Sequence, residues 1–181
     1  MKRILLIMVA ACACLLGSVR SVPALDFETS RQTLAGLRGV HVLVEDLQPN
    51  IVKFSDKFKF SKDELRKGVE LKLRRAGIKV LSRNEWLASP GKPILCVAVN
   101  THQREKYWWA YDIRVELHQM ASLEVNPATK AMVNTWSTNM TGVMNIGTLN
   151  TLNEQVKVLT GLFINAFFSV NPFPQRPKAA R

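Results

Sequence analysis

Residues 107–125, YWWAYDIRVELHQMASLEV, constrain the fold more than any other stretch of this chain. The odd positions Trp109, Tyr111, Ile113, Val115 and Leu117 are apolar. They continue so through Val125, with Gln119 the one clearly polar member. Among the even positions, Asp112, Arg114, Glu116, His118 and Glu124 are polar or charged. Side chains of a strand alternate between faces, so the pattern predicts a β-strand with one dry and one wet face. The rest of the chain must then cover the dry face. Seventeen residues from Trp109 to Val125 would extend about 55 Å at ~3.3 Å each. That is long for a small domain, and a bend or bulge is expected near Gln119, where the apolar face is interrupted.

The remaining elements follow from periodicity and punctuation. Val40, Val42 and Val44 predict a first strand over 38–47, ended by Gln48-Pro49-Asn50 because proline has no donor for the ladder. A loop with Phe54, Phe58 and Phe60 follows. Ser61-Lys62-Asp63-Glu64 has the form of a capping box, and Leu65, Val69, Leu73 and Ala76 then recur at helical spacing up to Gly77, a natural left-handed stop. Residues 78–81 read as a short strand, parallel to the first with a right-handed crossover. Ser82-Arg83-Asn84-Glu85 opens a short helix, stopped by Ser89-Pro90-Gly91. Residues 94–100 are apolar on both faces and read as a buried strand. A polar turn over 101–106 makes the long strand its hairpin partner. Residues 131–140 return as the next strand, 142–147 form a flexible link, and Thr151-Leu152-Asn153-Glu154 suggests a third capping box. Val156, Leu159, Phe163, Ala166 or Phe167, and Val170 give the last helix an apolar stripe. The predicted fold class is α+β: a two-layer sandwich with a mixed sheet of about five strands and two main helices on one face, in β-α-β-(short α)-β-β-β-α order.

The amino end carries an address. Lys2 and Arg3 precede an apolar run over 4–17, and Val22-Pro23-Ala24 has the small-residue form of a cleavage site, which together predict a signal peptide over 1–24. The run is shorter than the ~20 apolar residues of a spanning helix. Val9-Ala10-Ala11-Cys12 also resembles a lipobox, so a lipoprotein acylated at Cys12 is the minor alternative. Residues 25–37 would form an amino-terminal arm, 38–171 one α+β domain, and 172–181 a disordered basic tail. Removal of 1–24 takes away Lys2, Arg3 and Arg20 but no acid, lowering the net charge from +11 to +8. It also leaves Cys96 alone, so an oxidising compartment adds no internal disulfide. The expected location is periplasmic or secreted.

No familiar catalytic set is present. Cys96 lies in an apolar strand and reads as a buried structural thiol. His41, His102 and His118 show no ligand spacing, so no metal is expected. No P-loop, dinucleotide loop or nucleophile elbow occurs, and no cofactor is expected. Asp112, Glu116 and His118 on the wet face could form an acid/base set of a nonstandard enzyme, although alternating charge is normal there.

Two surface features remain. Between residues 53 and 79, ten lysines and arginines stand against four acids. Lys53, Lys57, Lys59, Lys62, Arg66, Lys67, Arg74 and Arg75 are the binding candidates of this basic face, suited to anionic lipid or lipopolysaccharide phosphates. Export disfavours nucleic acid as the partner. The second feature is an aromatic rim at Tyr107 and Trp108, where an exposed indole could anchor a protein or a membrane interface. Trp109 and Tyr111 are assigned to the core.

The segments GVHVLVEDLQPN, DELRKGVELKLRRAGIKVLSRNEWL and ILCVAVN resemble a pattern of small exported bacterial proteins without an assigned activity. In architecture the chain is similar to the amino-terminal domain of the Tol–Pal propeller protein and to lipopolysaccharide-assembly lipoproteins. The resemblance implies an interaction module and transfers no functional residue. The expected function is therefore non-enzymatic: an envelope module binding a protein or an anionic envelope component. Alternatives are an enzyme on the wet strand face, or a carrier of a small apolar ligand between the last helix and the sheet, lined by Phe163 and Phe167.

Overall fold

In the computed structural model, which describes residues 26–172, the alternating stretch forms a strand over Trp108–Ser122. Its expected dry face is dry only in its first half: Trp109, Ile113, Val115 and Leu117 are at most 1 % exposed, whereas Leu123 and Val125, past the end of the strand, are 46 % and 100 % exposed. In chain order the elements are α1 (Glu28–Gln32), β1 (His41–Val44), α2 (Pro49–Val52), α3 (Ser55–Phe58), α4 (Lys62–Arg75), α5 (Arg83–Ala88), β2 (Ile94–Gln103), β3 (the long strand), β4 (Lys130–Asn145), a 3₁₀ turn over Ile146–Thr148, and α6 (Thr151–Val170). The fold is α+β with a mixed sheet in the order β1-β2-β3-β4; β1 runs parallel to β2, and the other pairs are antiparallel. The expected leader over 1–24 and nearly all of the tail over 172–181 lie outside the described residues.

The core forms where the apolar stripes of α4 and α6 meet the inward residues of the sheet. Leu65, Val69 and Leu73 of α4 and Val156, Leu159 and Phe163 of α6 share one buried cluster with Val42, Leu95, Val97, Trp109, Ile113, Val115 and Trp136 of the sheet. Each fully buried large side chain contributes about 1.5–3 kcal/mol by leaving water. Trp136 and Phe163 meet edge to face at 5.4 Å between centroids, a geometry that adds about 0.5–1.5 kcal/mol.

α4 is well specified at both ends. The Ser61 hydroxyl accepts from Glu64 N–H at 3.2 Å. Past the helix, Ile78 N–H donates to Leu73 O and Gly77 N–H to Arg74 O, with Gly77 at φ 84°. These two bonds form a Schellman motif, and only glycine takes that φ without strain. α5 has the complete reciprocal box between Ser82 and Glu85.

The sheet has four strands, not about five. The expected strand over 78–81 shrinks to one parallel bridge between Val40 and Val80. The Schellman bond at Ile78 and the cap at Ser82 leave three residues between two helices. Those residues make two backbone bonds to Val40, through Lys79 O and Leu81 N–H. Gly39 permits the approach, since a Cβ there would stand 2.4 Å from Lys79 O.

Three further expectations are corrected. The loop after Pro49 contains α2 and α3, with Pro49 at the helix start where its absent N–H costs nothing. The link over 142–147 is largely strand, because β4 continues to Asn145. Gly142 serves close packing there: a Cβ would lie 2.6 Å from the Tyr111 hydroxyl oxygen. The third capping box does not form. Asn150 is the cap residue and is already helical (φ −60°, ψ −21°), because the 3₁₀ turn leads straight into α6, and Thr151 Oγ1 donates to Thr148 O instead.

The irregularity expected near Gln119 is present. Leu117 pairs with Trp136 but His118 pairs with Asn134, leaving Thr135 as the extra residue of a bulge. The Gln119 amide donates to Thr135 Oγ1 at 2.8 Å and to Thr33 O at 3.0 Å. The polar interruption of the dry face thus fastens the bulge and the amino-terminal arm together. The arm packs onto the domain: Leu34 is fully buried, and Asp26 accepts from Trp136 Nε1 at 3.0 Å.

Candidate functional site

α4 and α6 cross with glycines at the contact. Gly68 faces the Lys157 stem, and Gly161 faces the end of Lys72. With no side chain at 161, Lys72 lies across α6 and its Nζ donates to the Lys157 backbone carbonyl at 2.6 Å. Beside this crossing a groove of about 840 Å³ opens between α4, the end of α3 and the first turns of α6. Its apolar lining comes from Phe58, Leu65, Val69, Leu71 and Val156, and its cations are Lys59, Lys67, Lys72, Arg75 and Lys157. Leu71 is 47 % exposed, so the apolar surface reaches the mouth. The two acids that line it, Glu64 and Glu154, are engaged by Lys67 at 3.6 Å and Lys157 at 2.7 Å. The positive end of the α6 dipole lies at the same end of the groove.

The eight basic candidates divide into three groups. Lys59, Lys67 and Arg75 line the groove. Lys62 pairs with Asp46 at 2.6 Å, Arg66 with Asp63 at 2.8 Å and Arg74 with Glu70 at 2.9 Å, so carboxylates already match their charges. Lys53 and Lys57 lie over the rings of Phe54 and Phe58, at 5.1 and 5.3 Å from the centroids. Lys59 and Arg75 have no ion-pair partner among the described residues. Lys59 also sits at φ 49°, a left-handed conformation that is costly for a lysine.

Lys72 and Lys157 were not among the sequence candidates. Lys72 stands in the basic run, but it is also seven residues after Leu65, three after Val69 and four before Ala76, a spacing that puts it on the flank of the apolar stripe. Lys157 is far away in sequence, and its only signal is that it is the one cation in the stretch 151–170.

The aromatic rim is exposed at Tyr107 (54 %) and Trp108 (49 %), with Lys106 over the Tyr107 ring at 5.2 Å. Trp109 is in the core as expected, and Tyr111 is partly buried, packed against it. On the open face of the sheet, Arg114 lies 3.3 Å from Asp112 and 3.6 Å from Glu116, and His118 Nε2 is 3.0 Å from Glu116. Asp112, Glu116 and His118 are thus successive rungs along one strand, each acid engaged by its neighbour. Cys96 is 6 % exposed, and its Sγ donates to Glu45 Oε1 at 3.7 Å. Burial, with the Glu45 and Glu116 carboxylates nearby, pushes the thiol pKa up to about 12. Such a thiol is protonated at neutral pH and a poor nucleophile. Among the described residues, no three His, Cys, Asp or Glu side chains are grouped to hold a metal ion. Phe163 and Phe167, proposed to line a ligand cavity, are buried in aromatic contact with Trp136 and Phe168.

No protein-family model matches the chain, and no curated protein does. Among the described residues, no helix is long and apolar enough to cross a membrane.

Proposed function

We propose that this chain is an exported, non-enzymatic interaction module of the cell envelope that binds an anionic amphiphile in the α4–α6 groove. On this reading the helices form one layer and the sheet the other, a two-layer sandwich with the groove at the end of the helical layer. The observation that carries the proposal is the pair of unmatched cations on the groove: Lys59 and Arg75 have no carboxylate partner among the described residues, whereas Lys67 and Lys157 beside them are engaged by Glu64 and Glu154, and Lys62, Arg66 and Arg74 outside it are matched by Asp46, Asp63 and Glu70. An apolar floor under cations suits an acyl chain beneath a phosphate or carboxylate, as in a phospholipid or the lipid portion of lipopolysaccharide. The leader-like segment over 1–24 and the net charge of +8 left after its removal support the same setting.

Co-sedimentation with vesicles tests this. Binding to vesicles containing anionic phospholipid at low salt is expected, with little binding to purely zwitterionic vesicles and loss as salt screens the contact. Equal binding to both kinds of vesicle would remove the proposal. Mass spectrometry of the mature terminus distinguishes cleavage after Ala24 from acylation at Cys12.

A further inference from the structure

β4 is an edge of the sheet. Ile146 N–H donates to Tyr107 O at 2.9 Å, which sets the phase of the β3–β4 ladder. In an antiparallel pair the bonding direction alternates, so Asn139, Thr141 and Val143 direct their N–H and C=O groups away from β3. No strand pairs with them among the described residues. Both ends of this free stretch are bounded. Ser137 is only 6 % exposed, and Thr33 Oγ1 lies 3.4 Å from Thr135 O. At the other end, Asn145 O accepts from Thr148 Oγ1 at 2.8 Å.

An exposed edge is normally blunted by charge or proline. Residues 131–145 contain neither. On a chain of net charge +11, or +8 once 1–24 is removed, this uncharged strip lets two copies meet without facing like charges. Next to it on the open face, Val143 is 61 % exposed and Trp108 49 %. They are diagonal neighbours, because Trp108 pairs with Asn145 and Ala110 with Val143.

The free residues are symmetric about Thr141. Two antiparallel copies centred there bring Thr141 against Thr141 and Asn139 against Val143 twice, with on the order of six backbone hydrogen bonds. Any other register that keeps the alternation leaves Asn139 or Val143 without a free partner. We propose that two copies of this chain join at the β4 edge, antiparallel about a two-fold axis at Thr141, with the Trp108–Val143 corner against the other copy. The contact is isologous, so it closes as a dimer rather than growing into a fibre. It is also small, of the class below about 1,200 Å² in total where association is weak.

Sedimentation velocity on the purified protein is expected to pass from monomer to dimer between about 1 and 200 µM. Thr141→Lys and Thr141→Glu alter an exposed side chain, and circular dichroism checks that each variant keeps the fold. Each alone is expected to remain monomeric, because it sets like charges face to face on the axis. Their equimolar mixture is expected to regain the dimer. A protein that stays monomeric at about 200 µM overturns the proposal, as would be seen if the edge served an extended peptide of another protein. Dimers kept by both single variants, or a mixture that does not dimerise, overturn it equally.

Discussion

Lys72 reaches across the α4–α6 contact to the backbone carbonyl of Lys157, 2.6 Å away, over a glycine at 161. A Cβ at 161 would meet the Lys72 Nζ at 3.2 Å, the far end of a flexible side chain. Gly161→Ala should therefore displace the ammonium without disturbing the helices. Its gain in helix propensity is up to about 1 kcal/mol, and loss of the hydrogen bond offsets about 0.5–1.5 kcal/mol. Chemical denaturation should find stability within about 1 kcal/mol of wild type, while Lys72→Met shows the loss without the gain.

Asp26 ties the arm to the sheet. It accepts from Arg31 Nε and Nη2 at 2.6 and 2.7 Å and from Trp136 Nε1 at 3.0 Å. The Arg31 hydrogen bonds, with Trp136 adding to them, hold its carboxyl below the ordinary value against the opposing effect of burial. A lowered folded-state pKa means that the stabilisation is present above the unfolded value of about 3.9 and is lost as pH falls through the folded one. Asp26→Asn should cost about 1–3 kcal/mol at pH 7. The difference from wild type should shrink below pH ~4. Urea melts followed by tryptophan fluorescence across pH 3–7 check this.

Gly142 lies under the Tyr111 ring, so Gly142→Ala should force the ring or the strand to move. A cost of about 1–3 kcal/mol is expected from overpacking. Because the clash is with one named side chain, Tyr111→Leu should make the glycine substitution cheaper. A double-mutant cycle that gives simple additivity would refute this contact.

Cys96 should resist alkylation in the native protein at pH 8 and react once the chain is unfolded in urea, because the folded environment keeps the thiol protonated. Rapid native labelling, read by intact mass, would contradict its assigned burial.

The fold was readable in the sequence where one signal spanned many residues. The alternation from Trp109 to Leu117 specified β3, the repeat of Leu65, Val69 and Leu73 ending at Gly77 specified α4, and Gln119 marked the bulge region. What escaped was short or non-local. Four-residue helices such as Pro49–Val52 are too brief to show a period. The segment 78–81 has strand composition, but the caps on either side leave it no length. The groove was half visible. The basic run from Lys53 to Lys79 was plain, but only tertiary structure separates the cations held by Asp63, Glu70 and Asp46 from those left on the groove. Lys157 reaches the same groove from the other end of the chain, already paired with Glu154.

The most direct test compares two charge-matched double variants in binding to anionic phospholipid vesicles. Lys59→Gln/Arg75→Gln and Arg66→Gln/Arg74→Gln each remove two positive charges, so they differ in place and not in net charge. At about 1 kcal/mol for each basic residue at an anionic surface, the groove pair should lose roughly 30-fold in affinity. The pair outside the groove, which lines no part of it, should lose distinctly less. Equal losses would show that bulk charge drives binding, and the groove would have no part in it.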